Sequence, residues 1–171
     1  MIVTDATVLI ALAKLHLLRL LKEVYGDVLI GPIVKNEVVD RGKVVGAAEV
    51  VEVERALAEG SIRVIRPAPK ERKAVQALLR MSRLDDGEAE AISIAQSHDC
   101  MVIIDDKEAR TLAASMGIEY VGTAGVLLEA YASGHLSYED LENAVRDLSK
   151  VLWLSPAVAV EVLRKAREMK R

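Results

Sequence analysis

The chain has no phenylalanine, one tryptophan and four tyrosines among its 171 residues. Its interior must therefore be packed by Val, Leu, Ile and Ala. A single cysteine, Cys100, closes no intramolecular disulfide, which excludes a disulfide-stapled secreted scaffold. With no CxxC pair, thiolate zinc sites are excluded as well. No long apolar run is present: the stretch from Val8 to Ala13 stops at Lys14, far short of the ~20 residues a bilayer span needs. No basic region precedes it, as a secretory signal would require. The expectation is a soluble, cytoplasmic protein with no membrane partner. Excess positive charge is lacking too, since the net charge is −3 and the pI about 5.7. Any attraction to a polyanion must then be local or carried by a metal. Neither GxGxxG nor GxxxxGK[ST] occurs, so no nucleotide fingerprint is present. His16, His98 and His135 have no metal-ligand spacing.

What is present is a 51% hydrophobic, 29% charged chain of mean hydropathy +0.21, which excludes disorder. Its length is that of one domain, and such a chain buries roughly two-thirds of its unfolded surface without staples. Val/Ile/Leu bursts alternate with helical patterns, the signature of an α/β fold on a parallel sheet. Strands are predicted at 1–4, 28–30, 62–65, 101–104 and 119–121. Helices are predicted at 7–21, from Pro32, up to Glu59 with Gly60 as its cap, from the Pro67/Pro69 pair to about Met81, and over 85–97 and 107–116. Another begins at Thr123 or Gly125. The run DRGKVVG, residues 40–46, reads as a loop. Leu141, Val145, Leu148 and Leu152 recur at helical spacing behind a Ser137/Asp140 capping pair, and Ser155-Pro156 opens a final helix. Its Arg/Lys-rich end, 164–171, reads as a solvated face. The division expected is a core domain over 1–135 and a helical extension over 136–171 packed on it.

The placement of acids carries the most information. Asp5 ends the first strand, Glu37 lies in the helix after Gly31-Pro32, Asp85, Asp86, Glu88 and Glu90 crowd one helix start, and Asp105-Asp106 end the strand MVII. Open parallel sheets bind ligands outside the carboxyl ends of their strands. Ionised carboxylates gathered there at ~5 Å, in an effective dielectric of ~20, would repel by about 3 kcal/mol per pair. No fixed Arg or Lys stands obviously between them, although Lys107 is adjacent. A divalent cation is the simplest remedy, and all-oxygen donors suit Mg2+ or Mn2+. Such ions activate water and steady charge developing on a phosphodiester. Local roles compete: Asp85 with Glu88 fits a capping box, and one of Asp105 and Asp106 fits a helix N-cap. Asp5 resists such a reading, because it interrupts an apolar run where an unpaired charge is costly. Glu88 and Glu90 lie about 200° apart on a helix. Glu88 shares its face with Ala91, Ile92 and Ala95, which makes it the expected inward member.

The ordered set of Asp5 with Thr7, GPIVKNEVV, LDDGEAEAISIA, MVIIDDKEAR and VGTAGVLLEA resembles the PIN-domain family, and the tail LRKAREM extends the likeness over nearly the whole chain. Within the family, the GExEAI helix and the IDD strand end are similar to the VapC-type toxin branch. The resemblance implies a three-layer α/β/α sandwich and a Mg2+- or Mn2+-dependent endoribonuclease. By position, the family's acids fall on Asp5, Glu37, Glu88 (with Asp86 and Glu90 as competitors) and Asp106 (with Asp105 beside it). Asp5, Glu88, Asp105 and Asp106 are the candidate metal ligands. Thr7 and Thr123 are candidates to orient water or phosphate, with local capping as the plainer role for each. The resemblance also implies RNA as substrate, a homodimer and a small antitoxin. With so few aromatics, base stacking is not expected to dominate RNA binding. Two rivals remain. A haloacid-dehalogenase-type phosphatase also starts from an Asp at the end of a first strand, but it needs a second Asp where this chain has Thr7. A PIN-like module that binds RNA or protein without cutting is the other.

Overall fold

The computed structural model describes residues 1–169; Lys170 and Arg171, the end of the expected basic face, lie outside the described residues. The described residues form one parallel sheet of β1 (Ile2–Thr4), β2 (Val28–Ile30), β3 (Ile62–Val64), β4 (Met101–Ile103) and β5 (Tyr120–Val121), in the order β3-β2-β1-β4-β5. The chain starts at the centre, builds outward through β2 to β3, then returns to the other side of β1. The strand order therefore reverses between β1 and β4.

Alternation along each strand decides what lies above and below the sheet. Ile2, Ile30 and Ile103 pack on one face with Leu9 and Leu12 of α1 (Ala6–Lys14), Leu20 of α2 (Arg19–Tyr25) and Leu127 of α9 (Thr123–Ala132). Val3, Leu29, Val102 and Ile104 pack on the other with Ile92 and Ile94 of α7 (Asp86–Ser97) and Ala109 of α8 (Lys107–Ser115). The result is a three-layer α/β/α sandwich. The last two helices, α10 (Tyr138–Val151) and α11 (Pro156–Met169), extend the first core through Leu141, Leu148, Val162 and Ala166. The Ser137/Asp140 capping box forms at the start of α10 as its spacing predicts. No helix among the described residues is long and apolar enough to cross a membrane.

The structure corrects two local expectations. The helix read over 7–21 is broken into α1 and α2, with His16 in left-handed backbone at φ 56° between them. An unbroken 15-residue helix would be about 22 Å long, and the break folds Leu18, Leu20 and Leu21 back into the core instead. The run DRGKVVG is helical. α3 (Pro32–Lys35) widens into a π-helical segment, Asn36–Arg41, and continues as α4 (Gly42–Val45) before Gly46, at φ 70°, ends it. Gly42 serves packing here: a Cβ on it would come within 2.5 Å of Val50 Cγ2, at the start of α5 (Val50–Ala58).

A third correction concerns α7. The inward member of its acidic pair is Glu90, which is 1% exposed, while Glu88 is half-buried. Glu90 Oε2 accepts the N–H groups of Ile33 (2.9 Å) and Val34 (3.2 Å). It thereby satisfies the open N-terminus of α3, whose N-cap, Gly31, has no side chain to do so. A Cβ on Gly31 would fall 2.0 Å from the Glu90 carboxyl carbon, so the cap requires glycine on one side and a carboxylate on the other. The helical-face reading failed because the Ile33 and Val34 N–H groups draw Glu90 inward; they favour its carboxylate, although burial is the larger effect and leaves its pKa above the usual range. Replacing Glu90 by Ala strands both donors and is expected to cost about 2–3 kcal/mol, a fall in Tm of roughly 5–10 °C for a chain this long. Glu90→Gln, which keeps an acceptor oxygen, should lose less. Thermal melts of the two variants check the order.

Candidate functional site

β1 and β4 pair with Thr4 opposite Ile103, so Asp5 and Asp105 leave adjacent strands just past the carboxyl edge of the sheet. That edge lies at the reversal of strand order, where open α/β sheets place their ligand crevices. Asp5 is 2% exposed. Its N–H donates to the Ile103 carbonyl (3.4 Å), and its Oδ1 accepts from Val8 N–H (2.9 Å), which makes it the N-cap of α1.

Asp105 is gripped through both oxygens. Thr123 N–H donates to Oδ1 at 2.9 Å and the Thr123 hydroxyl to Oδ2 at 2.5 Å. Thr123 is thus a positioning residue for Asp105 rather than a local cap, and the N-cap of α9 is Gly122. The neighbouring Asp106 caps α8 by accepting from Ala109 N–H at 2.8 Å. Thr7 is exposed on the first turn of α1.

The remaining acids approach from α7 and the π-helical segment. Asp85 and Glu88 form the predicted reciprocal cap of α7, with Glu88 N–H to Asp85 Oδ1 at 2.7 Å and Asp85 N–H to Glu88 Oε2 at 3.1 Å. Capping and site membership coincide here, because the cap sets Glu88 beside Asp5. Glu37 projects from the π-helical segment toward the same helix start: a Cβ on Gly87 would stand 2.7 Å from Glu37 Oε2 and 3.5 Å from Asp85 Oδ1. Arg41, one turn on, lies 4.0 Å from Glu37 at the rim. Asp86 is exposed beside them.

The electrostatics connect these residues. Burial pushes the Asp5 carboxyl well above the usual range, and Asp105, Glu88 and Asp85 push it further against the opposing Val8 hydrogen bond. Glu88 is raised to about 7, chiefly by burial and then by Asp85, Asp106 and Glu108, against the Asp85 N–H. Burial and Asp85 also raise Glu37, while Arg41 opposes. Asp5, Asp105, Glu88, Asp106, Asp85 and Glu37 thus feel one another around one end of the sheet. Glu90 touches the group only through Glu37 and Asp86. Among the described residues, no three Asp, Glu, His or Cys side chains form a ready-made metal cage. The donors are nonetheless hard oxygens, and Mg2+ takes only one or two carboxylates while keeping its waters. The pair formed by Asp5 and the firmly held Asp105 fits that demand in kind and number.

The sequence reading missed the glycines. A Cβ on Gly122 would come within 2.8 Å of Asp105 Oδ1. Gly122, at φ −97°, is therefore required for space and not for an unusual backbone. Gly87 makes room for Glu37 in the same way. The available signal was the adjacency of glycine to the acid motifs in LDDGE and VGT.

For Asp5 the raised pKa is a statement about stability. Protonation is favoured in the folded state, so stability is full below the unfolded carboxyl range and falls as pH rises through the folded pKa. Asp5→Asn retains the cap acceptor and discards the buried charge. At pH 7 without divalent cations it is expected to melt at least about 2–4 °C above the native chain, on the order of 1 kcal/mol or more, with the gap closing toward pH 4. An equal or lower Tm at pH 7 would mean that the chain itself compensates the charge.

Comparison with curated proteins and with solved structures returns no match. A family model described as a PIN domain matches residues 1–168. That span takes in every acid of the switch-point cluster as well as the α/β/α sandwich that gathers them, and the chain belongs to the PIN-domain family, whose members are generally nucleases.

Proposed function

We propose that the chain is a divalent-metal-dependent endoribonuclease that hydrolyses RNA phosphodiesters and serves as the toxin of a toxin–antitoxin pair. The observation that carries the reading is Asp5, a carboxylate 2% exposed at the switch point, whose pKa is raised first by burial and then by Asp105, Glu88 and Asp85, against the Val8 hydrogen bond. Such a site is costly to keep unless something positive completes it. Asp5 and Asp105 would hold Mg2+ or Mn2+, with Glu88 and Asp106 as the further ligands available. When bound, such an ion lowers the pKa of water and steadies charge on a phosphoryl oxygen.

The chain's own groups divide the remaining work. Val8 N–H and Thr123 hold Asp5 and Asp105 in place, so little reorganisation remains when the substrate arrives. Glu88, raised to about 7, is suited to take a proton from the attacking water at neutral pH. Glu37 faces the same space from the π-helical segment, where it would orient that water. The first turns of α1, α7 and α8 point their positive dipole ends at this edge, where Asp5, Asp85 and Asp106 cap them, which favours the anionic form of these carboxylates. RNA as substrate, a second copy of the chain, and a small antitoxin blocking the acids are the partners this reading carries.

One assay separates the reading from its rivals. The native chain, Asp5→Asn, Asp105→Asn and Gly122→Ala would be incubated with structured RNA and with p-nitrophenyl phosphate, in Mg2+, Mn2+ or chelator. RNA cutting that needs the metal and falls at least about 100-fold in both Asp variants, about 2.7 kcal/mol of barrier, is the expected result. Gly122→Ala should lose about tenfold with its fold intact, because Asp105 must move to admit the methyl group. Turnover of p-nitrophenyl phosphate alone would favour a phosphatase, and RNA binding with neither activity a non-cutting module.

A pH series tests Glu88 as a ligand. An acid raised to about 7 is largely protonated at pH 6 and ionised at pH 8, and cation binding favours the ionised form. Mn2+ affinity measured by calorimetry should therefore rise between pH 6 and 8 in the native chain. It should rise less in Glu88→Gln. An equal slope in the two proteins would remove Glu88 from the ligand set.

A further inference from the structure

We infer that the groove beside the acid centre is a nucleobase subsite in which one RNA base stacks on Trp153 while Lys107 and Arg110 hold its flanking phosphates. The inference rests on the RNA reading of that centre. The groove encloses about 770 Å3 between the starts of α8 and α9 and the α10–α11 turn, within the roughly 300–1,000 Å3 that small-ligand sites occupy. Asp105, Asp106 and Trp153 all line it, so it adjoins the carboxylates.

Trp153 is the chain's single tryptophan and is 98% exposed. The turn that carries it is not loose. Leu152 and Leu154 on either side pack against the main core, Leu154 N–H donates to the Leu152 carbonyl at 2.8 Å, and the Ser155 hydroxyl caps the start of α11. A flat aromatic face is therefore held out over the groove by a fixed backbone.

The charges on the rim select the occupant. Lys107 and Arg110 lie on the first turn of α8, line the groove, and make no ion pair among the described residues. Glu161, on the opposite wall, is taken up by Arg164 (2.7 Å) and Lys165 (3.8 Å). Unspent cations flanking an aromatic platform match single-stranded nucleic acid, which presents phosphates outside and bases to stack. An apolar protein segment would have no use for them. The scarcity of aromatics in the sequence argued against stacking as a major contribution. The position of this one residue matters more than the count.

Because no other tryptophan is present, emission excited at the red edge of the tryptophan band, where the four tyrosines do not absorb, reports this residue alone. The native chain would be titrated in EDTA with a ten-nucleotide single-stranded RNA of mixed sequence, and with an abasic oligonucleotide of equal length and charge. The RNA should quench emission to saturation, and the abasic strand should bind more weakly without quenching. By anisotropy of the fluorescein-labelled RNA, Trp153→Ala should bind at least about fivefold more weakly and Trp153→Phe less so. Unchanged emission on RNA binding together with native affinity in Trp153→Ala would overturn the subsite. So would emission that tracks protein concentration and ignores RNA, which would give the groove to a second copy of the chain. If the native chain cuts RNA in Mg2+ and Trp153→Ala cuts and binds equally well, the subsite falls and the nuclease reading stands. If base-dependent quenching occurs and no RNA is cut in either metal, the nuclease reading falls and the subsite stands.

Discussion

Carboxylates gathered around a buried one, Asp5, are the constraint around which this chain is organised. The sheet imposes it: because β1 and β4 pair with Thr4 opposite Ile103, Asp5, directly after β1, and Asp105, two residues past β4, emerge at the same carboxyl edge. The protein relieves the strain only in part. Val8 N–H and the start of α1 favour the Asp5 anion, yet burial and three neighbouring carboxylates leave its pKa well above the ordinary range. An aliphatic core on both faces of the sheet must carry the difference. Local conflict of this sort tends to survive where a function needs it.

The acids differ in what already satisfies them. Glu90 receives two backbone N–H groups and is nearly inaccessible, so its lone pairs are engaged in holding α3. Asp105 also receives two bonds, both from Thr123, but it stays partly exposed and faces Asp5. Asp5 receives one from backbone and none from a side chain. The order of unmet demand, Asp5 before Asp105 before Glu90, follows from these bonds. Each of Glu90, Glu37 and Asp105 also abuts a glycine, Gly31, Gly87 and Gly122 respectively. A carboxylate that must approach a backbone this closely leaves no room for a Cβ, so glycine beside an acid marks close approach whether the role is structural or chemical.

The layer order and the strand positions were legible from the sequence, because apolar bursts between helical patterns admit few other folds. Asp5 was legible for a related reason: a charge that interrupts a buried run needs a purpose. What could not be read depended on contacts distant in sequence. Nothing local distinguishes Glu88 from Glu90, since the choice is made by N–H donors at Ile33 and Val34, over fifty residues earlier. Gly42 imitates a loop residue, yet its reason is Val50 on the next helix. The break at His16 is invisible to periodicity because residues 7–21 are apolar over most of the helix circumference, so no change of face marks it. Thr123 looked like a cap because threonine before a helix commonly is one, and only the fold brings Asp105 to it.

Net charge gave the least guidance on partners. At −3 overall the chain offers RNA no general attraction, and beyond a Debye length of about 8 Å the sum matters less than local arrangement. Locally, α8 sets its unspent cations beside acids without an ion pair between them: Asp105, Asp106, Lys107 and Arg110 all line the groove. Asp106 also caps its first turn beside Glu88. In the π-helical segment, by contrast, the wide turn sets Lys35 on Asp40, five residues on, at 3.0 Å. That pairing keeps the lysine on the outer face and leaves Glu37 with Arg41 alone, at 4.0 Å. On the proposed reading, this arrangement makes the two ligands depend on each other. The uncompensated carboxylates repel a phosphodiester until a cation sits among them, and the phosphodiester in turn supplies oxygens that one or two carboxylates leave wanting. By linkage each must tighten the other by the same factor, so RNA that the groove holds weakly by itself is held more tightly together with its ion.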